Sequence, residues 1–156
     1  MCGWCKKKDN TETQEHAGVE ALGRSMGGFS CKIHAAVDAL GNPLRLILTP
    51  GQSSDIGQAE NLVVSINAQK VLADKGYDSG KLVEWLTKEG MEAVIPSRSN
   101  AKEPRQCDWW VYKERHLVEC FFGKIKHYRR VFSRFEKKSC NFMAFLHFVS
   151  VLIWFR

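Results

Sequence analysis

Residues 70–96, KVLADKGYDSGKLVEWLTKEGMEAVIP, constrain the fold more than any other stretch. Two short apolar runs, KVLAD and MEAVIP, flank SGKLVEWLTKEG, which has a capping serine, apolar residues at helical spacing and a terminal glycine. That is strand, helix, strand. Upstream, Ile33, Ala35 and Val37 alternate with Lys32, His34 and Ala36, LGNP makes a turn, and LRLILT is β-rich again. This predicts a hairpin, with Asp38 as a turn residue. Ser53, Ser54 and Asp55 can cap a helix running to about Ala68. After a polar loop from Ser97 to about Asp108, a long helix covers roughly Trp109 to Arg130, and a last helix follows. Strands alternating with helices imply a mixed sheet with helices packed on it.

At 156 residues and 44% hydrophobic content the chain is one globular domain. Residues 1–22 are predicted to be a flexible tail and 23–156 the folded domain. No signal peptide opens the sequence. The apolar run Phe142–Phe155 contains His147 and is shorter than the about 20 residues a membrane span needs. It predicts a buried core helix and no membrane partner. Of six cysteines, Cys2 and Cys5 form one C-x-x-C, with His16 and Cys31 the nearby candidates to complete a zinc site. Reduced, incidental thiols are the expected state.

Net charge is +6 but uneven: Arg98–Lys138 holds twelve Lys+Arg against five Asp+Glu, leaving the remainder near balance. A basic block interleaved with aromatics, as in HYRRVFSRF, suits a polyanion, phosphate in particular. Within it, helical geometry is informative. With Tyr112 at zero, Arg115, Glu119 and Lys126 fall near ~300°, ~340° and ~320° at 100° per residue. Leu117, Phe121, Ile125 and Tyr128 lie on the opposite side. One face is core; the other shows a carboxylate among cations and a phenol. An exposed i, i+4 ion pair accounts for Arg115 and Glu119 alone. It leaves the tyrosine in the stripe unexplained.

A carboxylate among cations can hold a divalent metal while the cations hold a phosphodiester, and metal-assisted phosphoryl transfer needs two or three converging carboxylates. The others belong at strand ends. Asp74, just past its strand, fits that place, although a turn would also explain it. Arg98, Lys102 and Arg105 lie in the loop before the long helix, as phosphate contacts or as a mobile charged loop, and Arg129, Arg130 and Arg134 extend the basic stripe. Asp78 is assigned to capping the next helix with Ser79, and Trp109, Trp110 and Trp154 to packing.

YKERHLVECFFGKIK fits Y-x-x-R-x-x-x-E-x-x-x-x-x-x-K and resembles the signature of bacterial insertion-sequence DDE transposases. ADKGYDS resembles the segment with their second aspartate. GRSMGGFSCKIHAAVDALGNPLRLILTPGQSSD, VIPSRSN and NFMAFLHFVSVLIWFR are similar to the insertion-sequence-five branch. The resemblance covers roughly Ala21 to Arg156. It implies an RNase H-like mixed sheet flanked by helices, and DNA hydrolysis and strand transfer with Mg2+ or Mn2+. Asp74 and Glu119 would be the catalytic, metal-holding carboxylates. Tyr112, Arg115, Lys126, Arg98, Arg129 and Arg130 would contact nucleic acid. The implied partners are double-stranded DNA at element ends and target, and further copies of the full-length protein. The implied location is the bacterial cytoplasm, at the nucleoid.

The chain departs from that pattern in front. Only Asp9, Glu12, Glu15 and Glu20 precede Gly23, and none sits in an apolar, β-rich run. The first strand with its aspartate is expected to be absent, along with an N-terminal helix-turn-helix. That makes the chain the C-terminal portion of a transposase, either a truncated, decayed copy or a second-frame product whose N-terminal half would come from an upstream frame. The alternative is a catalytically inactive DNA-binding fragment that modulates transposition.

Overall fold

The computed structural model describes residues 23–25, 28–101 and 104–155. The expected tail, Cys2, Cys5, His16 and Lys102 lie outside them. The hairpin forms as predicted. Strand β1 (Gly23–Ser25) pairs antiparallel with β2 (Gly28–Val37), and β2 with β3 (Pro43–Pro50). Asp38 is the turn residue it was expected to be. Its Oδ1 accepts the N–H groups of Leu40 and Asn42, both at 2.8 Å, and Gly41 takes the left-handed φ of +82° that favours glycine. Burial pushes the Asp38 carboxyl up, but these N–H donors outweigh it and hold it below the usual carboxylate value.

Alternation along β2 sends Ile33, Ala35 and Val37 to one face, where they pack with Leu46 and Leu48 of β3. The other face is covered too, by α1 (Ile56–Val63). Arg45 of β3 donates to the carbonyls of Asn61 and Val64, each at 2.7 Å, so a cation meets the negative end of that helix. Helix α1 stops well short of Ala68, with Ser65 at a φ of 63° just beyond it.

The second expected unit is also present. Strand β4 (Lys70–Leu72) and β5 (Glu92–Val94) pair in parallel, joined through a 3₁₀ turn (Lys75–Tyr77) and α2 (Gly80–Lys88). Lys70 and Glu92 face each other across the pair at 3.0 Å. The one mixed sheet expected is instead two small ones, β1-β2-β3 and β4-β5. No described strand hydrogen-bonds to both.

The long helix begins at Trp109 as expected. The Asp108 carboxylate caps it by accepting from the N–H groups of Trp110 and Val111, both at 3.1 Å. It runs as α3 (Trp109–Tyr112), a 3₁₀ stretch (Lys113–Arg115) and α4 (His116–Lys126). It ends at Lys126 rather than Arg130, because Tyr128 turns extended (φ −89°, ψ 105°). Arg129 and Arg130 therefore sit on a separate turn, α5 (Arg129–Phe132). Helix α6 (Ser139–Trp154) is the core helix predicted, burying Phe142, Leu146, Val149 and Ile153. No described helix is long and apolar enough to cross a membrane.

Two cores result. Leu46, Phe121, Ile125, Val131 and the buried face of α6 make one. Ala59, Leu82, Leu86, Met91 and Ile95 make the other. Helix α1 lays Ala59 on the second core, while its ties to Arg45 hold it on the hairpin face opposite the first.

Candidate active site

Asp74 sits two residues past β4, in extended backbone, and opens the 3₁₀ turn. Its Oδ1 accepts the Gly76 N–H at 2.7 Å, and its carbonyl accepts the Tyr77 N–H at 3.0 Å. A Cβ on residue 76 would lie 2.8 Å from that Oδ1, so glycine is what lets the carboxylate fold back over the turn. Asp74 is thus a turn former, and an exposed one. No described side chain takes its second oxygen.

Glu119 comes from the other core. Phe121 and Ile125 anchor α4 inward, and the predicted stripe faces outward. Arg115 donates to Glu119 Oε1 at 2.5 Å and lies over the Tyr112 ring, 5.8 Å from its centroid. Its pKa is raised, first by the Glu119 hydrogen bond, and further by the charges of Glu119, Tyr112 and Asp74. One guanidinium therefore feels both carboxylates. Lys126 is exposed and makes no ion pair among the described residues.

The loop after β5 is tied to the Asp74 turn through a residue whose role differs from the expected one. Asp78 does not cap α2; Ser79 holds the cap position without a side-chain hydrogen bond. The Asp78 carboxylate instead accepts the Arg98 N–H at 2.8 Å and the Arg105 guanidinium. Burial pushes Asp78 up, but the Arg98 N–H and Arg105 hold it below its usual value. The Arg98 side chain donates to the Gly76 carbonyl at 3.2 Å, and the Arg105 N–H to Ser97 Oγ at 2.9 Å. Arg98 and Arg105 thus brace the turn that carries Asp74. Their spacing of 20 and 27 residues from Asp78 leaves no periodic trace in the sequence.

A second polar cluster lies on the hairpin. Asp55 was expected to help cap α1, but makes no side-chain cap there. It pairs with Lys32 at 3.0 Å and approaches His34 Nδ1 at 3.7 Å. His34 Nε2 meets Thr49 Oγ1 at 2.8 Å, deep in the fold. Burial lowers the His34 pKa, partly offset by Asp55. Tyr77 lies between the clusters: burial first, then the charges of Asp55 and Asp74, push its phenol up to about 12.

The structure leaves Arg129 and Arg130 off the α4 stripe. Arg129 covers the Phe135 ring and Arg130 pairs with Glu136 at 2.8 Å. Trp109 and Trp110, expected in packing, are 62% and 79% exposed. Trp154 does pack, its indole N–H donating to the Pro43 carbonyl at 2.9 Å.

As a donor set, Asp74 and Glu119 are hard carboxylate oxygens open to solvent. That suits Mg2+ or Mn2+, which are bound by one or two carboxylates together with waters and substrate phosphate. Among the described residues no group of three or more Asp, Glu, His or Cys side chains gathers as a cage.

The frame is mixed α/β, with exposed carboxylates and a basic helix, and sequence comparison supplies the family. Family models for the transposase DDE domain match residues 11–108 and 71–156. The chain belongs to the DDE transposases of insertion sequences. It is 41% identical over 133 residues to a Brucella ovis protein named as a transposase for insertion sequence element IS6501, covering 82% of this chain and all of that relative. It is 32% identical over 134 residues to one from Burkholderia cepacia named for element IS402. That match covers 78% of this chain and 61% of the relative, so the chain spans about three fifths of that protein's length. No solved structure matches significantly. The family acts on DNA and is generally dependent on divalent metal.

Proposed function

We propose that this chain supplies Asp74 and Glu119 as the metal-holding carboxylates of a DNA transposase that cleaves and joins strands at the ends of an insertion sequence. One observation carries the reading: Arg115 bonds Glu119 at 2.5 Å and lies over the Tyr112 ring on one exposed stripe of the basic helix, in a chain whose Asp74 stands exposed just past β4. Mg2+ or Mn2+, when bound by Asp74 and Glu119, would supply Lewis acidity toward the scissile phosphate.

The chain's own residues do the rest. Arg115 fixes the Glu119 carboxylate and offers its remaining N–H donors to phosphate. Lys126 adds an uncommitted positive charge on the same stripe. Tyr112 positions the strand beside them. Arg98 holds the Asp74 turn through Asp78 and Gly76 and presents its remaining guanidinium donors to the backbone. Arg129 and Arg130 draw in duplex DNA from the next turn. The break between β1-β2-β3 and β4-β5 supports a further part of the proposal: a strand from an upstream-frame product completes an RNase H-like sheet and brings the third carboxylate. The complete assembly then works as an oligomer at the nucleoid.

The absence of a third ligand beside Asp74 and Glu119 among the described residues favours a second reading, a DNA-binding fragment without catalysis that modulates transposition.

The test is cleavage and strand transfer on labelled duplexes carrying the element's terminal repeats. The chain is assayed alone and with the upstream-frame product, in Mg2+, Mn2+ or chelator. Metal-dependent product is expected, and Asp74→Asn or Glu119→Gln should each lower it by about a thousandfold, the worth of several kcal/mol of charge stabilisation. Cleavage that survives both substitutions would overturn the catalytic assignment. Salt-dependent binding with no cleavage in any mixture would establish the second reading.

A further inference from the structure

We propose that Trp109 and Trp110 form a stacking platform for unpaired DNA bases at the mouth of the candidate active site, an inference that rests on DNA being the substrate. The two indoles are 62% and 79% exposed, at the start of a helix whose Phe121 and Ile125 are buried. They are not carried on a loose loop. The Asp108 carboxylate caps the backbone beneath them, and the Trp109 ring meets Tyr112 edge-on at 5.6 Å with the planes at 86°. Their orientation is thus set by the helix that carries Arg115 and Glu119.

Cations are interleaved with the rings. Lys113 Nζ lies 5.0 Å from the Trp110 centroid, and Arg115 covers Tyr112. An exposed aromatic beside a cation is the pairing that single-stranded nucleic acid uses, the ring taking a base face and the cation the adjoining phosphate. A shallow recess beside Trp109, lined by Pro96, Pro104, Arg105 and Gln106, gives an extruded base apolar walls and polar edges. In a duplex the base faces are covered by their neighbours, so a rigid indole reaches them only where pairing has opened. The ligand is therefore a frayed or single strand next to the phosphate under attack. The positive charge of Arg98–Lys138 argues for a polyanion here over a second protein surface.

The experiment is fluorescence anisotropy with the full chain and two labelled probes, a thymidine homopolymer and a hairpin duplex, at one salt concentration. Trp110→Ala and Trp109→Ala should each weaken the single strand by about tenfold to a hundredfold. Duplex affinity, supplied by phosphate contacts, should stay within about twofold. Trp110→Phe should recover most of the loss. Equal losses on both probes, or none on either, would overturn the proposal, as would unchanged single-strand binding with altered self-association in sedimentation. Failure of the wild-type chain to bind any DNA would overturn the functional reading as well; intact duplex binding with insensitive tryptophans would overturn the platform alone.

Discussion

Around β2 and β3 the strands run ten and eight residues, and a complete face of α6 closes over them. Around β4 and β5 they run three residues each, and much of the local order comes from polar ties: Asp74 to Gly76, Asp78 to Arg98 and Arg105. The first region is held by apolar burial between distant segments, the second by short hydrogen-bonded turns over a smaller core. Glu119 belongs to the first and Asp74 to the second. The candidate site is thus a seam, one carboxylate on a stiff helix and the other on a braced turn. Helix α1, which lies on the hairpin and on α2, bridges them.

The largest expected effect tests whether the regions are separable. Phe121→Ala should cost about 3–5 kcal/mol and Leu86→Ala about 2–5 kcal/mol in denaturant unfolding. Hydrogen exchange discriminates further. Leu86→Ala should deprotect α2 and β5 while β2 and β3 stay slow. Uniform loss across both would mean a single cooperative unit, and the contrast would dissolve.

A middle-sized effect sits at the brace. Asp78→Ala removes a charge-assisted bond to Arg105 and one to the Arg98 N–H, and should cost about 1–3 kcal/mol. Proteolysis should quicken in the loop from Ser97 to Asp108 and not in the hairpin. Because the folded-state pKa of Asp78 is depressed, its contribution is full above its ordinary value of 3.8 and lost as pH falls through the lower native value. Cleavage at the loop unchanged in Asp78→Ala would refute the brace.

The smallest effect marks the other region. His34 is buried with a lowered pKa, so below its ordinary 6.5 the unfolded chain takes a proton that the folded chain resists. Stability should be full above that value and decline as pH falls from it. His34→Gln should flatten the decline, read as melting temperature against pH; an unchanged slope would assign it elsewhere.

Much of this was legible locally. The stripe Tyr112, Arg115, Glu119 emerges from 100° per residue, and the alternation of β2 is borne out by the packing of Ile33, Ala35 and Val37. The hairpin turn follows from Asp38 and Gly41. The illegible parts share a cause, the partner being distant in sequence. Nothing in the pattern around Asp78 announces Arg105, nor could Asp55 be seen to prefer Lys32 over capping its own helix. Lys126 ends α4 because Tyr128 turns to pack on the core, a choice made by tertiary contact. The exposure of Trp109 and Trp110 ran against composition, since tryptophan is ordinarily well covered.

The tie from Trp154 to Pro43 spans 111 residues. A ribosome translating this gene has completed the hairpin, both carboxylates and the basic loop well before it makes Phe142, Leu146, Val149 and Ile153. Until those codons are read, Leu46 and Phe121 lack the lid that keeps them dry. A nonsense mutation just after residue 138 would spare Asp74, Arg115 and Glu119 and still yield a chain fit mainly for aggregation or proteolysis. Loss of α6 thus erases the protein rather than its chemistry.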